Sequence, residues 1–323
     1  MNTATKLGGF TLGLLAVFGA AAGIGNALGP IGPTGDDAPH DAGAHTSASA
    51  GATADSAAAE ELPGGLMISQ DGYTLDLDDA ELPVGPATPV AFRILGPDGQ
   101  ALTDYDTSHD EDLHLIAVRR DLTGFQHVHP ELGPDGTWTT PLELTPGAWR
   151  LFADFDPAGA DEALTLGADV PVAGQYTPQP LPEPSRTAEV DGYTVTLDGE
   201  LVPGGESELT LSVSRNGEPV TDLQPYLAAY GHLVALRDGD LAYLHVHPAG
   251  EPGDGTTEPG PDVTFYATAP SAGDYRLFLD FQHDGVVRTA EFTARAGELP
   301  AGTAATAPTD QADGHADDGH GHG

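Results

Sequence analysis

Apolar and polar residues alternate at period two in a series of short segments: Tyr73–Asp78, Pro89–Leu95, Leu113–Arg119, Phe125–His129, Thr137–Leu144, Trp149–Phe155 and Ala163–Val170. Successive side chains of a strand point to opposite faces, so each segment predicts a β-strand with one buried side. Turn chemistry separates them at Pro97-Asp98-Gly99, Pro134-Asp135-Gly136 and Pro146-Gly147. No segment carries a convincing helical period. Short strands at this spacing predict an all-β immunoglobulin-like sandwich.

The pattern then recurs. Asp191-Gly192-Tyr193-Thr194 repeats Asp71-Gly72-Tyr73-Thr74, Thr221-Asp222 repeats Thr103-Asp104, and the stretch from Ala272 to Phe281 answers Pro146 to Phe155. Two tandem sandwich repeats are therefore expected, over 63–173 and 186–296, joined by a stiff linker at 174–185 with prolines at 178, 180, 182 and 184. Outside the repeats the patterning fails. Residues 1–28 carry Lys6 and then an uncharged run from Leu7 to Leu28, which reads as a signal peptide or a membrane anchor. Residues 29–62, with His40 and His45, form a low-complexity tether, and 297–323, with His315, His320 and His322 among aspartates, form a disordered tail.

One stretch departs from plain alternation. In Gly231–Pro248, GHLVALRDGDLAYLHVHP, two apolar runs flank Arg237-Asp238-Gly239-Asp240, and Asp-Gly is a strong hairpin signal. With Asp238 and Gly239 as the central turn residues, His232 falls opposite His245. Opposed Cβ atoms lie roughly 4.5–5.5 Å apart, and His247 shares the face of His245. Three imidazoles then converge on a point where one ion can be held by nitrogens at about 2 Å. The segment from His114 to Pro130 aligns to His232–Pro248 without a gap, identical at eight of 17 positions, so His114, His127 and His129 repeat the triad. HxH pairs on strands are also met as hydrogen-bonded core residues, and duplication is what favours ligation. Arg120-Asp121 is a poor two-residue turn, so the first hairpin is expected to have a longer loop with the same register.

Composition narrows the chemistry. The chain of 323 residues has a net charge of −39, which excludes nucleic acid as a partner and limits membrane contact to the N-terminal segment. A halophilic source accounts equally well for the acidity. There is no cysteine, which rules out disulfides, zinc-thiolate sites and iron-sulfur clusters, and with two methionines there is no thioether set for Cu(I). Imidazole and carboxylate remain as ligands. They suit Cu(II), which heads the divalent affinity order, with Zn(II) as the other choice. Three imidazoles leave one position of a four-coordinate ion open. In the second repeat Asp280 or His283 is placed to complete it; in the first, Asp154 corresponds to Asp280 but Pro157 stands where His283 would be. His109 is a substitute if its acidic loop folds back. The second site is thus expected to be the better formed.

At the HVHP hairpin the chain resembles secreted or anchored bacterial proteins built of immunoglobulin-like repeats with a GHL...LHVHP signature, and at the level of fold it is similar to copper-resistance sandwich proteins of the CopC and YtkA-like kind. The resemblance implies extracytoplasmic copper or heavy-metal binding at His232, His245 and His247, with His114, His127 and His129 as equivalents. It also implies a membrane copper transporter or a metallochaperone as the receiving partner. A binding protein for copper sequestration, delivery or resistance, without catalysis, is the first expectation. A cell-surface spacer whose histidines are structural is the second. A cupin-like metalloenzyme is the third: His245-Val246-His247 followed by Glu251 fits a first cupin motif, but Pro270–Arg276 lacks the histidine of the second.

Overall fold

The computed structural model describes residues 62–160 and 162–297. The expected signal or anchor, nearly all of the tether, and the His/Asp-rich tail beyond Gly297 lie outside the described residues. Among the described residues no helix is long and apolar enough to cross a membrane. The first half is built from β1 (Ser69–Gln70), β2 (Tyr73–Leu77), β3 (Gly85–Leu95), β4 (Tyr105–Asp106), β5 (Leu113–Arg119), β6 (Gln126–Val128), β7 (Glu131–Leu132), β8 (Thr137–Leu144), β9 (Gly147–Pro157) and β10 (Leu164–Val172). The second contains β11 (Thr187–Val190), β12 (Tyr193–Asp198), β13 (Glu206–Arg215), β14 (Glu218–Pro219), β15 (His232–Arg237), β16 (His245–Pro248), β17 (Asp262–Thr268), β18 (Gly273–His283) and β19 (Val286–Ala296).

Each half is an antiparallel sandwich. In the first, the sheet β1-β2-β3-β8-β7 packs on β10-β9-β5-β6; in the second, β11-β12-β13-β17-β16 packs on β15-β18-β19. Strand order β2-β3-β8-β7 against β5-β9-β10, repeated as β12-β13-β17-β16 against β15-β18-β19, is the four-on-three arrangement of an immunoglobulin-like domain. The chain is therefore all-β, with two tandem immunoglobulin-like repeats. Trp149 and Tyr275 are buried at matching strand starts, where Trp149 Nε1 donates to Thr145 O at 2.8 Å and the Tyr275 hydroxyl to Ser271 O at 2.7 Å. These aromatics close the two cores.

Period two decides what faces what. On β5, Leu113, Leu115 and Ala117 enter the core of the first sandwich, while Ile116 and Val118 point out of it. On β15, Leu233 and Ala235 enter the second core, and Val234 and Leu236 point out; on β18, Leu277, Leu279 and Phe281 point in and Phe278 out. The outward residues meet one another. Ile116, Val118, Phe152, Val234, Leu236 and Phe278 form a third core between the repeats, with Phe125 stacked on Phe278 at 4.0 Å between ring centroids. β5 and β15 are thus buried on both faces, which is why they read as nearly continuous apolar runs. Gly65 is part of this contact: its φ is +71° and a Cβ would lie 2.4 Å from Phe152 Cδ1, so no larger residue fits.

Removing an aromatic from a packed core costs about 3–5 kcal/mol, whereas truncating an exposed side chain costs at most about 0.5 kcal/mol. Urea unfolding of Phe278→Ala is expected to show the larger loss and that of Val287→Ala the smaller. Equal effects would mean that the inter-repeat core is not packed as described.

Candidate metal centre

The junction face ends in a layer of imidazoles and carboxylates. His114 follows the parity of Ile116 on β5, Asp154 that of Phe152 on β9, and His232 and Asp280 those of Val234 and Phe278 on β15 and β18. In the ladders His114 lies opposite Asp154, and His232 opposite Asp280, so the two repeats contribute matching pairs. His127 on β6 and His129 just beyond it share the junction face of Phe125. The loop carrying His109 folds back over them, with its ring 5.4 Å from that of His232 and 6.2 Å from that of His114.

Three of these side chains converge. One ring nitrogen from each of His114, His127 and His129 lies within 4.8 Å of the other two. His114 Nδ1 and His127 Nε2 are 3.1 Å apart, close to the separation of about 3.3 Å expected for two nitrogens at a tetrahedral angle on an ion with bonds of about 2.0 Å. Hydrogen-bond partners assign the tautomers. His114 Nε2 contacts Ser108 O at 3.0 Å and His232 Nε2 contacts Tyr226 O at 2.8 Å. A carbonyl only accepts, so both Nε2 atoms carry hydrogen and the neutral rings present Nδ1 lone pairs. His127 Nδ1 donates to Asp280 Oδ2 at 3.0 Å, and in the neutral ring this leaves the Nε2 lone pair aimed at His114 Nδ1. Two lone pairs at that distance repel unless a proton or a cation lies between them. Beside them, His129 Nε2 is buried and has no hydrogen-bond partner. A buried polar atom left unpaired costs about 1–3 kcal/mol, and a metal ion removes that cost.

The supporting partners have the form that metal-bound histidines require. The nitrogen away from the ion donates to a carbonyl for His114 and to a carboxylate for His127. Asp280 is itself held, accepting from the Thr289 hydroxyl at 2.5 Å. Burial, opposed by the Ser108 hydrogen bond and assisted by the neighbouring imidazoles, lowers the pKa of His114 to about 3. Burial first and neighbouring imidazoles second lower His129 to about 4; for His232, burial is again the first cause of a value of about 4. These rings are neutral at ordinary pH, the state that ligates. Burial also raises the pKa of the Asp154 carboxyl, with the Thr165 hydroxyl holding it at 3.0 Å.

The expected hairpin in the second repeat does not continue to its histidines. The turn after β15 spans four residues rather than two, since Arg237 N donates to Ala242 O and Leu244 N to Ala235 O. This alone moves the register by two. Beyond Leu244 the chain leaves β15 for the other sheet, where His245 pairs with Thr268 and His247 with Tyr266 on β17. His232 is therefore not opposite His245. His247 lies exposed on β16, whose Val246 and Pro248 line the junction cavity. In the first repeat β6 stays on β5, also two residues from the expected register, with Ile116 opposite His127. His283 is on the face of β18 that carries Phe281, away from Asp280, where it bonds the Tyr193 hydroxyl at 2.7 Å and Asp222 at 3.1 Å. Asp280 belongs to the centre as the partner of His127, not as a free ligand. The better-formed triad is thus the first one, and its surroundings come from the second repeat. Asp154 was legible as the counterpart of Asp280 and His109 through the fold-back of its loop, whereas Ser108 and Tyr226 carry no sequence signal of their own.

Fold and site define a tandem immunoglobulin-like protein with an imidazole cluster buried where its repeats meet. The chain belongs to the family described as a domain of unknown function, DUF8832, whose model matches residues 68–172 and 188–298. Comparison with curated proteins finds no match. Among solved structures it is similar to the Escherichia coli adhesin FdeC, at 18% identity and a TM-score of 0.23, over 71% of this chain and 65% of the adhesin chain. A Salmonella alpha-2-macroglobulin matches at 15% identity and a TM-score of 0.24, over 73% of this chain and 15% of the other. The D0-D1 domain of intimin matches at 12% identity and a TM-score of 0.19, over 68% of this chain and 96% of that one. The chain spans less than two thirds of the length of the first two.

Because the buried imidazoles bind protons less readily folded than unfolded, the unfolded chain holds more protons between about pH 4 and pH 6.5. Stability of the metal-free protein is expected to fall as pH is lowered through that window. Urea midpoints measured from pH 7 to pH 4 check this, and His232→Leu should give a shallower slope.

Proposed function

We propose that this protein binds one transition-metal ion through His114, His127 and His129, Cu(II) before Zn(II), and does so outside the cytoplasm as a sequestering, delivering or resistance protein without catalysis of its own. The observation that carries the reading is the arrangement of three ring nitrogens within 4.8 Å, one of them buried with no partner. Support for the metal comes from the donor set: neutral imidazoles flanked by carboxylates, in a chain without cysteine, suit Cu(II) and Zn(II). The uncharged run from Leu7 to Leu28 supports export or anchoring, and a membrane copper transporter or a metallochaperone is the receiving partner this reading entails.

A second reading is a cell-surface spacer whose histidines are structural. It is favoured by the hydrogen bonds that already join His127 to Asp280 and His232 to Tyr226, which hold the junction without an ion.

Metal content separates the two. The full-length chain is expected to lose one equivalent of bound Cu(II) or Zn(II) in His127→Ala plus His129→Ala, and none in His245→Ala plus His247→Ala. No bound metal in any of the three proteins would leave the spacer reading standing, and equal non-zero content in all three would sink the triad as the site. Asp280→Asn, which weakens the support of His127, is expected to reduce affinity by about 10–100-fold with one equivalent still bound. Isothermal titration in a competing chelator measures it.

A further inference from the structure

Three imidazoles fill three positions of a tetrahedral ion. The groups offered by the sequence for the fourth are otherwise placed: His283 faces the core of the second repeat, Asp280 uses its oxygens on His127 and Thr289, Asp154 accepts from Thr165, and neither Asp154 nor His109 joins the ligand atoms that lie within 4.8 Å of one another. What adjoins the imidazoles is a cavity of about 80 Å3. His114 and His127 form part of its wall, together with His109, His232, Asp154 and Val246. A water molecule takes about 30 Å3 of liquid volume, so the space suits a ligand of two or three heavy atoms.

We propose that the fourth position of the bound ion opens into this cavity and holds an exchangeable ligand, water in the resting protein and a small monodentate anion when one is supplied. This rests on the metal-binding reading and adds to it that the centre is open, not closed by the protein. An ion with three protein ligands and a free position differs from a structural one with four: it exchanges its last ligand without unfolding the site. The cavity wall supplies acceptors, with His232 Nε2 tied to Tyr226 O and its Nδ1 left to accept, so a coordinated water finds a partner for its hydrogens. The same opening gives a transferred ion a point of attack by an incoming ligand. Ligand entry through the cavity, not displacement of a histidine, then starts release.

The test uses the full-length protein loaded with Co(II), whose visible bands report coordination, and azide as the probe. One equivalent of Co(II) lost in His127→Ala plus His129→Ala establishes the metal site. Azide is then expected to shift the bands saturably in the wild type, and Val246→Phe, which fills the cavity, is expected to keep the Co(II) and lose the shift. Bound Co(II) whose bands ignore azide in large excess overturns the open position and leaves the metal reading intact. A shift unchanged in Val246→Phe at full Co(II) content also overturns it, because the ligand would be entering elsewhere. No Co(II) at the triad overturns both.

Discussion

The two repeats meet through sheet faces that a lone immunoglobulin-like sandwich leaves to water. Everything at the centre depends on that contact. Once β5, β15 and β18 are covered on their outer faces, each residue at alternate positions enters a dry layer, and a polar one must find a partner there. Most of the layer is aliphatic and aromatic. At one end it changes to His114, His127, Asp154, His232 and Asp280, and the hydrogen bonds among them follow from the need to satisfy donors and acceptors that water no longer reaches.

Duplication supplied this layer with matched parts, which the fold then uses unequally. His114 pairs across the ladder with Asp154 and donates to a carbonyl six residues back; His232 pairs with Asp280 and does the same. The repeats diverge after the turn. β6 remains on β5 and brings His127 and His129 over the junction, whereas β16 crosses to β17 and takes His245 and His247 to the other sheet. Near the point of departure, Tyr243 N is taken by Gly64 O from the start of the first repeat. Two potential triads become a single composite site, with three imidazoles from one repeat and the carboxylate that orients His127 from the other.

On the proposed metal reading, such a site would couple metal binding to the junction itself. An ion on His127 would strengthen the Nδ1 donor that reaches Asp280, so loading the centre would tighten the contact between repeats. The metal-binding and spacer readings therefore share a structural basis: the same imidazoles that offer lone pairs to an ion already tie one sandwich to the next.

Much of this was legible in the residues alone. Period-two alternation and turn chemistry determined the strands, the repeat determined two similar sandwiches, and the absence of cysteine restricted the donors, because these depend on local geometry and composition. The triad His114, His127 and His129 was legible too, as a spacing on neighbouring strands. Which copy assembles was decided by tertiary structure. Strand partners beyond a turn are chosen by whichever edge offers free backbone groups, and turn length shifts register by whole residues, neither of which GHLVALRDGDLAYLHVHP records. His283 was misplaced for a related reason: parity on β18 puts it with Phe281 in a core, away from Asp280. The junction, where two covered faces remove water from one polar layer, exists only once both repeats are folded and packed, and it is there that the histidines acquire their mutual orientation.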